Sequence, residues 1–319
     1  MTGAVVGALA LAAAALVVLA LRPPTVERPP VAPFEIGVVA ASGDTVWRWV
    51  GPSTCNADAD VVQLERSEGG GPWEKSPIPL ANVYSLSFSD GVHGVATGTT
   101  SKCARGVALT ANGGRTWRAY SENPVLLDAW YTEGAIWGVE RVVGTPQIAA
   151  FKADKKLRLK PIKSITPARP CSASDGVPNQ VAFWTDKSGL LLCQNTVIDS
   201  RLLARTTNGS TYEALTDDRP TLGLDGAEPV IDIDVAGTES VWAVFAPGGG
   251  GCSEGQVRYS DSQGAVFSHP ECPSRSVDID EVLDVAFTSD QDGVMLALRD
   301  RQPVMATTDD AGDTWTEQP

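Results

Sequence analysis

Two histidines, His93 and His269, are all that this chain of 319 residues carries, and none of its six cysteines falls in a Cys-x-x-Cys pair. That scarcity argues against a zinc or other transition-metal centre built from those ligands and leaves free or metal-binding cysteines as the alternative to disulfides. Positive charge is also short: 25 Lys and Arg face 39 Asp and Glu, giving a net charge of −14 and a pI near 4.6. A phosphate backbone would be repelled over most of such a surface, so nucleic acid is excluded as a partner. After the first 21 residues no segment repeats its apolar residues at helical spacing, which excludes a helical bundle.

What is present is strand spelling. Apolar residues alternate or run for a few positions between Gly, Asp and Ser clusters at Phe34 to Trp49, Val83 to Thr97, Val125 to Val139, Asn179 to Cys193, Val230 to Phe245 and Val282 to Leu298. Each of these paired strands is followed by a recurring turn. Thr308, Asp310, Gly312, Thr314 and Trp315 spell Ser/Thr-x-Asp-x-Gly-x-Thr-Trp, and Thr110, Asn112, Gly114, Thr116 and Trp117 spell the same with Asn for Asp. A short carboxylate or amide can cap the backbone N–H groups of a hairpin turn, Gly supplies the positive-φ position, and Trp opens the next strand facing the core. Weaker copies lie at Arg66 to Trp73, Thr206 to Tyr212 and Ser260 to Phe267, and a worn turn at Lys152 to Leu159 fills the remaining gap.

Six paired strands and six turns predict a six-bladed β-propeller over residues 34–319, with about 48 residues per four-stranded antiparallel blade. The recurring turn joins the third and fourth strands of each blade. On this map the turns occupy one face of the disc and the six cysteines lie on or near the other. Cys55 and Cys103 fall in loops of adjacent blades, Cys171 precedes a blade whose second strand ends at Cys193, and Cys252 and Cys272 flank the outer half of the fifth blade. The pairs Cys55–Cys103, Cys171–Cys193 and Cys252–Cys272 are therefore expected as disulfides, which implies an oxidising, extracytoplasmic location.

Ala4 to Leu21 is an uninterrupted run of Ala, Val, Leu and Gly followed by Arg22. It reads as a signal anchor or a signal peptide over residues 1–21, followed by a Pro-rich linker over 22–33 that would lift the propeller off a membrane. A composition rich in Ala, Val, Asp and Arg and poor in Lys is that of a GC-rich bacterium, which makes the compartment the bacterial cell envelope.

The boxes and the blade count together resemble the sialidase-type, BNR/Asp-box propeller superfamily, whose boxes also occur in photosystem-assembly-factor propellers and sortilin-type receptors. Sialidase activity, as the resemblance implies it, needs three arginines, a Tyr nucleophile assisted by Glu, and an Asp acid. The first arginine belongs to a Phe/Tyr-Arg-Ile-Pro motif, and this chain has Phe34-Glu35-Ile36-Gly37 there. Arg105, Arg169, Arg219 and Arg275 are placed in loops, and the five tyrosines all have strand or box positions. No catalytic residue is carried over, and no cofactor is expected.

Asp128, Asp232, Asp234, Asp280, Glu281 and Asp284 stand near the starts of predicted inner strands. Such carboxylates either are strand residues wetted by the channel or bonded to neighbouring loops, or, converging on its mouth, raise one another's pKa, hold a cation such as Ca²⁺ or serve as a hydrolytic pair; Asp232, Asp234, Asp280 and Asp284 are the metal candidates. Lys152, Lys155, Lys156, Arg158, Lys160 and Lys163 crowd the outer half of blade three, either as a patch for an acidic partner or anionic lipid or as lysines guarding an edge strand. Trp47, Trp49, Trp130, Trp137, Trp184 and Trp242 lie in the first and second strands of their blades, where they pack between blades or, near strand ends, form an exposed platform. Two functions follow: a non-catalytic, membrane-anchored scaffold or assembly factor for an envelope or membrane protein, or a glycan-binding or glycan-hydrolysing envelope protein.

Overall fold

The computed structural model describes residues 36–51, 55, 64–120, 124–140, 147–154, 156–165, 171, 177–195, 200–215, 230–237, 239–245, 247, 252–267 and 272–318. The expected anchor (1–21) and linker (22–33) lie outside the described residues. Among those residues no helix is long and apolar enough to cross a membrane.

Six sheets follow one another along the chain. Blade one contains β1 (Ile36–Ser42), β2 (Thr45–Gly51), β3 (Leu64–Glu68) and β4 (Glu74–Ser76); blade two contains β5 (Asn82–Phe88), β6 (His93–Thr99), β7 (Arg105–Ala111) and β8 (Arg118–Tyr120). Blade three contains β9 (Leu126–Tyr131), β10 (Ile136–Glu140), β11 (Gln147–Ala153) and β12 (Leu159–Ile165), and blade four β13 (Val177–Phe183), β14 (Gly189–Asn195), β15 (Ser200–Thr206) and β16 (Glu213–Ala214). Blade five has β17 (Val230–Ala236), β18 (Ser240–Phe245) and β19 (Gln256–Ser260), its expected fourth strand falling partly on residues outside the described set. Blade six has β20 (Glu281–Phe287), β21 (Gly293–Arg299), β22 (Gln302–Thr308) and β23 (Thr316–Glu317). Neighbours within each sheet are antiparallel and consecutive. The six first strands pack on one another in ring order, β20 returning to β1, so they line the axis. The six-bladed propeller is thus as expected.

The recurring turns do what their residues suggest. In the last one Gly312 N donates to Thr308 Oγ1 (3.0 Å) and Thr314 N to Asp310 Oδ1 (2.9 Å), with Thr314 Oγ1 on Asp310 Oδ2 (2.6 Å). Asn112 repeats this with Thr116 N at 2.9 Å, and Ser262 with Val266 N at 3.1 Å. In blade three, Asp154 takes both Lys156 N and Arg158 N (2.8 and 3.0 Å) and turns the chain from β11 into β12.

Buried side chains gather at the junctions between blades in six clusters, one per junction. Three junctions share a feature the single-blade period did not show. A Trp from the second strand of an odd blade stacks face to face on a Phe ending the first strand of the next: Trp47 on Phe88 (3.5 Å), Trp137 on Phe183 (4.5 Å) and Trp242 on Phe287 (3.7 Å). Each Phe lies over a glycine of its own blade, where a Cβ at Gly94, Gly189 or Gly293 would come within 2.4–2.5 Å of the ring. The packing unit is therefore a pair of blades, used three times.

Each disulfide falls inside one such pair: Cys55–Cys103 in blades one and two, Cys171–Cys193 between blade four and the connection into it, and Cys252–Cys272 between blade five and the connection into blade six. All six cysteines are consumed. With sequence separations of 48, 22 and 20 residues, closing these loops in the unfolded chain is worth about 4, 3 and 3 kcal/mol. Peptide mapping of the unreduced protein is expected to return these three pairs and no others. A scrambled map, or one with free thiols, would contradict both the blade order and the oxidising location.

Candidate functional site

The axis of the ring is a channel, and its wall is set by a backbone irregularity. In five of the six first strands the register slips by one residue, leaving Tyr84, Leu127, Asn179, Ile231 and Leu283 as bulges. A bulge turns the residue that follows it, and those residues are Ser85, Asp128, Gln180, Asp232 and Asp284, all polar and all lining a cavity of about 410 Å3.

Most of them bind the next blade. Ser85 Oγ accepts from Ala129 N (3.2 Å), Asp128 Oδ2 from Val181 N (2.7 Å), and Gln180 Nε2 donates to Ile231 O (2.8 Å) and Asp232 Oδ1 (3.3 Å). Asp284 Oδ2 accepts from Val39 N (2.7 Å), and Asp234, two residues beyond the bulge position, accepts from Phe287 N (2.6 Å). Buried backbone N–H groups need partners, and here side chains supply them at four of the six blade junctions. The Asp284 bond closes the circle between the last blade and the first, which exchange no strand.

Burial raises the carboxyls of Asp128 and Asp232 to about 6, and holds those of Asp234 and Asp284 well above the ordinary carboxylate range, with the neighbouring Asp232 adding to the shift in both. The Asp232 and Asp284 carboxyls influence each other directly, so the pair favours sharing a proton over carrying two charges.

These positions differ from the expected ones in depth. Asp128, Asp232, Asp234 and Asp284 stand in mid-strand and brace the ring, whereas the sequence placed them at a mouth. Asp280 is not with them: its Oδ2 accepts from Asp300 N (2.5 Å) outside the channel. Among the described residues one trio has its ligand atoms close enough for a metal, Cys252, Glu254 and Cys272, and its two sulfurs are bonded to each other. No three of Asp232, Asp234, Asp280 and Asp284 bring their carboxylate oxygens that close together among the described residues.

Arg105 opens β7, not a loop, and its guanidinium lies 4.5 Å from the Tyr84 ring centroid where the channel meets the cysteine-bearing side. Arg275 lies in a short 3-10 turn, Pro273–Arg275; Arg169 and Arg219 fall outside the described residues. Lys152, Lys156, Arg158 and Lys160 are exposed on the outer half of blade three, with Arg158 paired to Asp154 at 2.7 Å; Lys155 lies outside the described residues. There β12 runs for seven residues, against two or three for each of the four other fourth strands among the described residues.

The larger opening is on the other face, which the sequence assigned to structural turns. A cavity of about 720 Å3 sits among the hairpins joining first to second strands, and it shares Phe88, Trp130 and Phe287 with the cavity below. Trp130, Tyr131 and Trp184 border it, each half-buried. The Trp184 indole is pinned by Nε1 to Ser240 O of the next blade (3.1 Å). Every one of the six hairpins around this opening carries an exposed carboxylate: Asp44, Asp90, Glu133, Asp186, Glu239 and Asp290. Asp90 is engaged by His93 Nδ1 (2.8 Å) and Asp290 by Ser240 Oγ (2.7 Å). The sequence signal for this mouth was two consecutive aromatic pairs, Trp130-Tyr131 and Phe183-Trp184, each at the end of an inner strand and followed by an acidic turn.

Compared with known protein families and with curated proteins, the sequence matches none. Solved structures do resemble it. The fucose-specific lectin from Aleuria aurantia aligns with a TM-score of 0.54 at 8% identity, over 89% of this chain and 96% of the lectin. The tricorn protease aligns with a TM-score of 0.56 at 8% identity, over 90% of this chain and 26% of the protease. At these identities the likeness carries the propeller fold and nothing finer.

Proposed function

We propose that this protein is an extracytoplasmic, non-catalytic binding scaffold of the bacterial cell envelope. In this reading it is tethered to the membrane by its N-terminal apolar segment and engages an envelope or membrane protein, as an assembly factor would. The observation that carries it is the mouth bordered by Trp130, Tyr131 and Trp184, a concave opening with rigid, half-exposed aromatic faces of the kind that anchors partners. The channel carboxylates support the non-catalytic part. Asp128, Asp234 and Asp284 each spend an oxygen on the backbone of the next blade, and hydrolysis of a glycoside needs two carboxyls free to face the substrate. Three disulfides support the oxidising location.

Affinity capture of the full-length chain from its own membranes, followed by mass spectrometry, tests this: one stoichiometric envelope protein is expected. Recovery of none, with retention of the chain on a cell-wall glycan column, would sink the scaffold in favour of glycan binding. That second reading rests on the same tryptophans, since indole faces beside carboxylates also suit a sugar ring.

A further inference from the structure

We infer that the mouth ringed by Trp130, Tyr131 and Trp184 receives a basic side chain, Lys or Arg, from an extended segment of the partner protein. The inference deepens the scaffold reading and rests on it. Two independent features of the opening converge. The first is the half-buried aromatic border. An indole attracts a cation over its face, more strongly as the site loses water, and Trp184 cannot swing away because its Nε1 is held by Ser240 O.

The second is the field. All six hairpins that surround the opening bring a carboxylate. The basic side chains near them are few: His93 is spent on Asp90 (2.8 Å), and Lys187 is exposed beside Asp186. Glu133 and Asp186 border the cavity itself, with no ion pair or hydrogen bond to either carboxylate among the described residues. A mouth lined by low-dielectric walls and rimmed by one sign of charge concentrates ions of the other sign. A neutral sugar would stack on the indoles and donate hydroxyls to one or two carboxylates, but it gains nothing from the summed field of six like charges, so the arrangement favours a cation. The cavity, at about 720 Å3, has room for such a side chain.

The test uses the full-length chain in detergent, titrated with a pentalysine amide and, separately, with a neutral N-acetylglucosamine hexamer, following heat and tryptophan fluorescence. Glu133→Gln/Asp186→Asn removes two charges at the mouth; Asp278→Asn/Asp300→Asn removes two away from it and controls for net charge. Pentalysine is expected to bind saturably with a change in tryptophan emission, about tenfold more weakly to the mouth variant and nearly unchanged to the control. Failure of pentalysine to bind overturns the inference. So does equal weakening in both variants, or binding of the hexamer that ignores Glu133→Gln/Asp186→Asn. Membrane capture with the mouth variant separates this from the scaffold reading. Undiminished recovery of the wild-type partner would remove the mouth as its site and leave the scaffold standing, whereas no partner with the wild-type chain removes the scaffold itself.

Discussion

Trp242→Ala is expected to lower the midpoint of thermal unfolding by about 10 °C at pH 7.5, a loss of about 3–5 kcal/mol at roughly 2–4 °C per kcal/mol. The side chain is fully buried, stacks on Phe287 at 3.7 Å, and sends its Nε1 to Ala311 O at 2.9 Å. Its removal therefore opens a cavity at a junction between blades and strips a half-buried carbonyl in the last turn of its partner blade of its donor. The cost is not confined to one blade, because Phe287 also meets Trp315 edge-on at 6.1 Å. Trp242→Phe keeps an aromatic face and loses only the hydrogen bond, for about 1–2 kcal/mol plus repacking. Trp184→Phe at the mouth, half-exposed already, should cost less than Trp242→Ala by more than half. Calorimetry on the three variants decides the matter. A Trp242→Ala shift under about 2 °C would mean that the paired-blade stack is not a main support of the ring.

That stack marks the boundary of what the sequence could show. The blade count, the strand order and the three disulfides were legible, because the Gly and Trp of each turn have a local cause: one supplies a positive φ, as Gly312 does at +98°, and the other a fixed offset into the next strand. The doubling of the repeat was not, because Trp47, Trp137 and Trp242 have the same strand spelling as Trp130 and Trp184. Only the offset across a blade junction tells a stacked indole from one at a rim. The channel carboxylates were found as residues and misplaced in depth for a related reason. One extra residue at Ile231 or Leu283 turns the following Asp inward, and alternation of apolar residues does not reveal a bulge. Their partners, Val39 N, Val181 N and Phe287 N, are backbone groups of another blade and have no spelling at all.

Those same carboxylates predict an unusual pH response: the propeller should melt about 5–10 °C higher at pH 5 than at pH 7.5. Burial holds Asp128 and Asp232 at about 6 in the folded chain, against roughly 3.9 unfolded. A group easier to protonate when folded contributes stability that is complete below its unfolded pKa, and that is lost as pH rises through its folded pKa. Between pH 7.5 and pH 5 Asp128 therefore adds about 1.4 kcal/mol, and Asp232, Asp234 and Asp284, shifted the same way, add more. Opposing groups act lower. At Asp90 and Asp310 hydrogen bonds from His93 and Thr314 outweigh the effect of burial and hold the carboxyls below the ordinary range, so their contributions persist at pH 5 and fade only below about 4. Asp128→Asn separates this cause from general charge effects: the amide oxygen still accepts from Val181 N, but nothing ionises. The variant should melt higher than wild type at pH 7.5 and narrow the gap between the two pH values, while Asp128→Ala, which leaves that buried N–H unpaired, should melt lower at both by about 1–3 kcal/mol. A wild-type midpoint that is flat or falls from pH 7.5 to pH 5 would show that the channel carboxyls ionise freely, and that water, not burial, sets their charge.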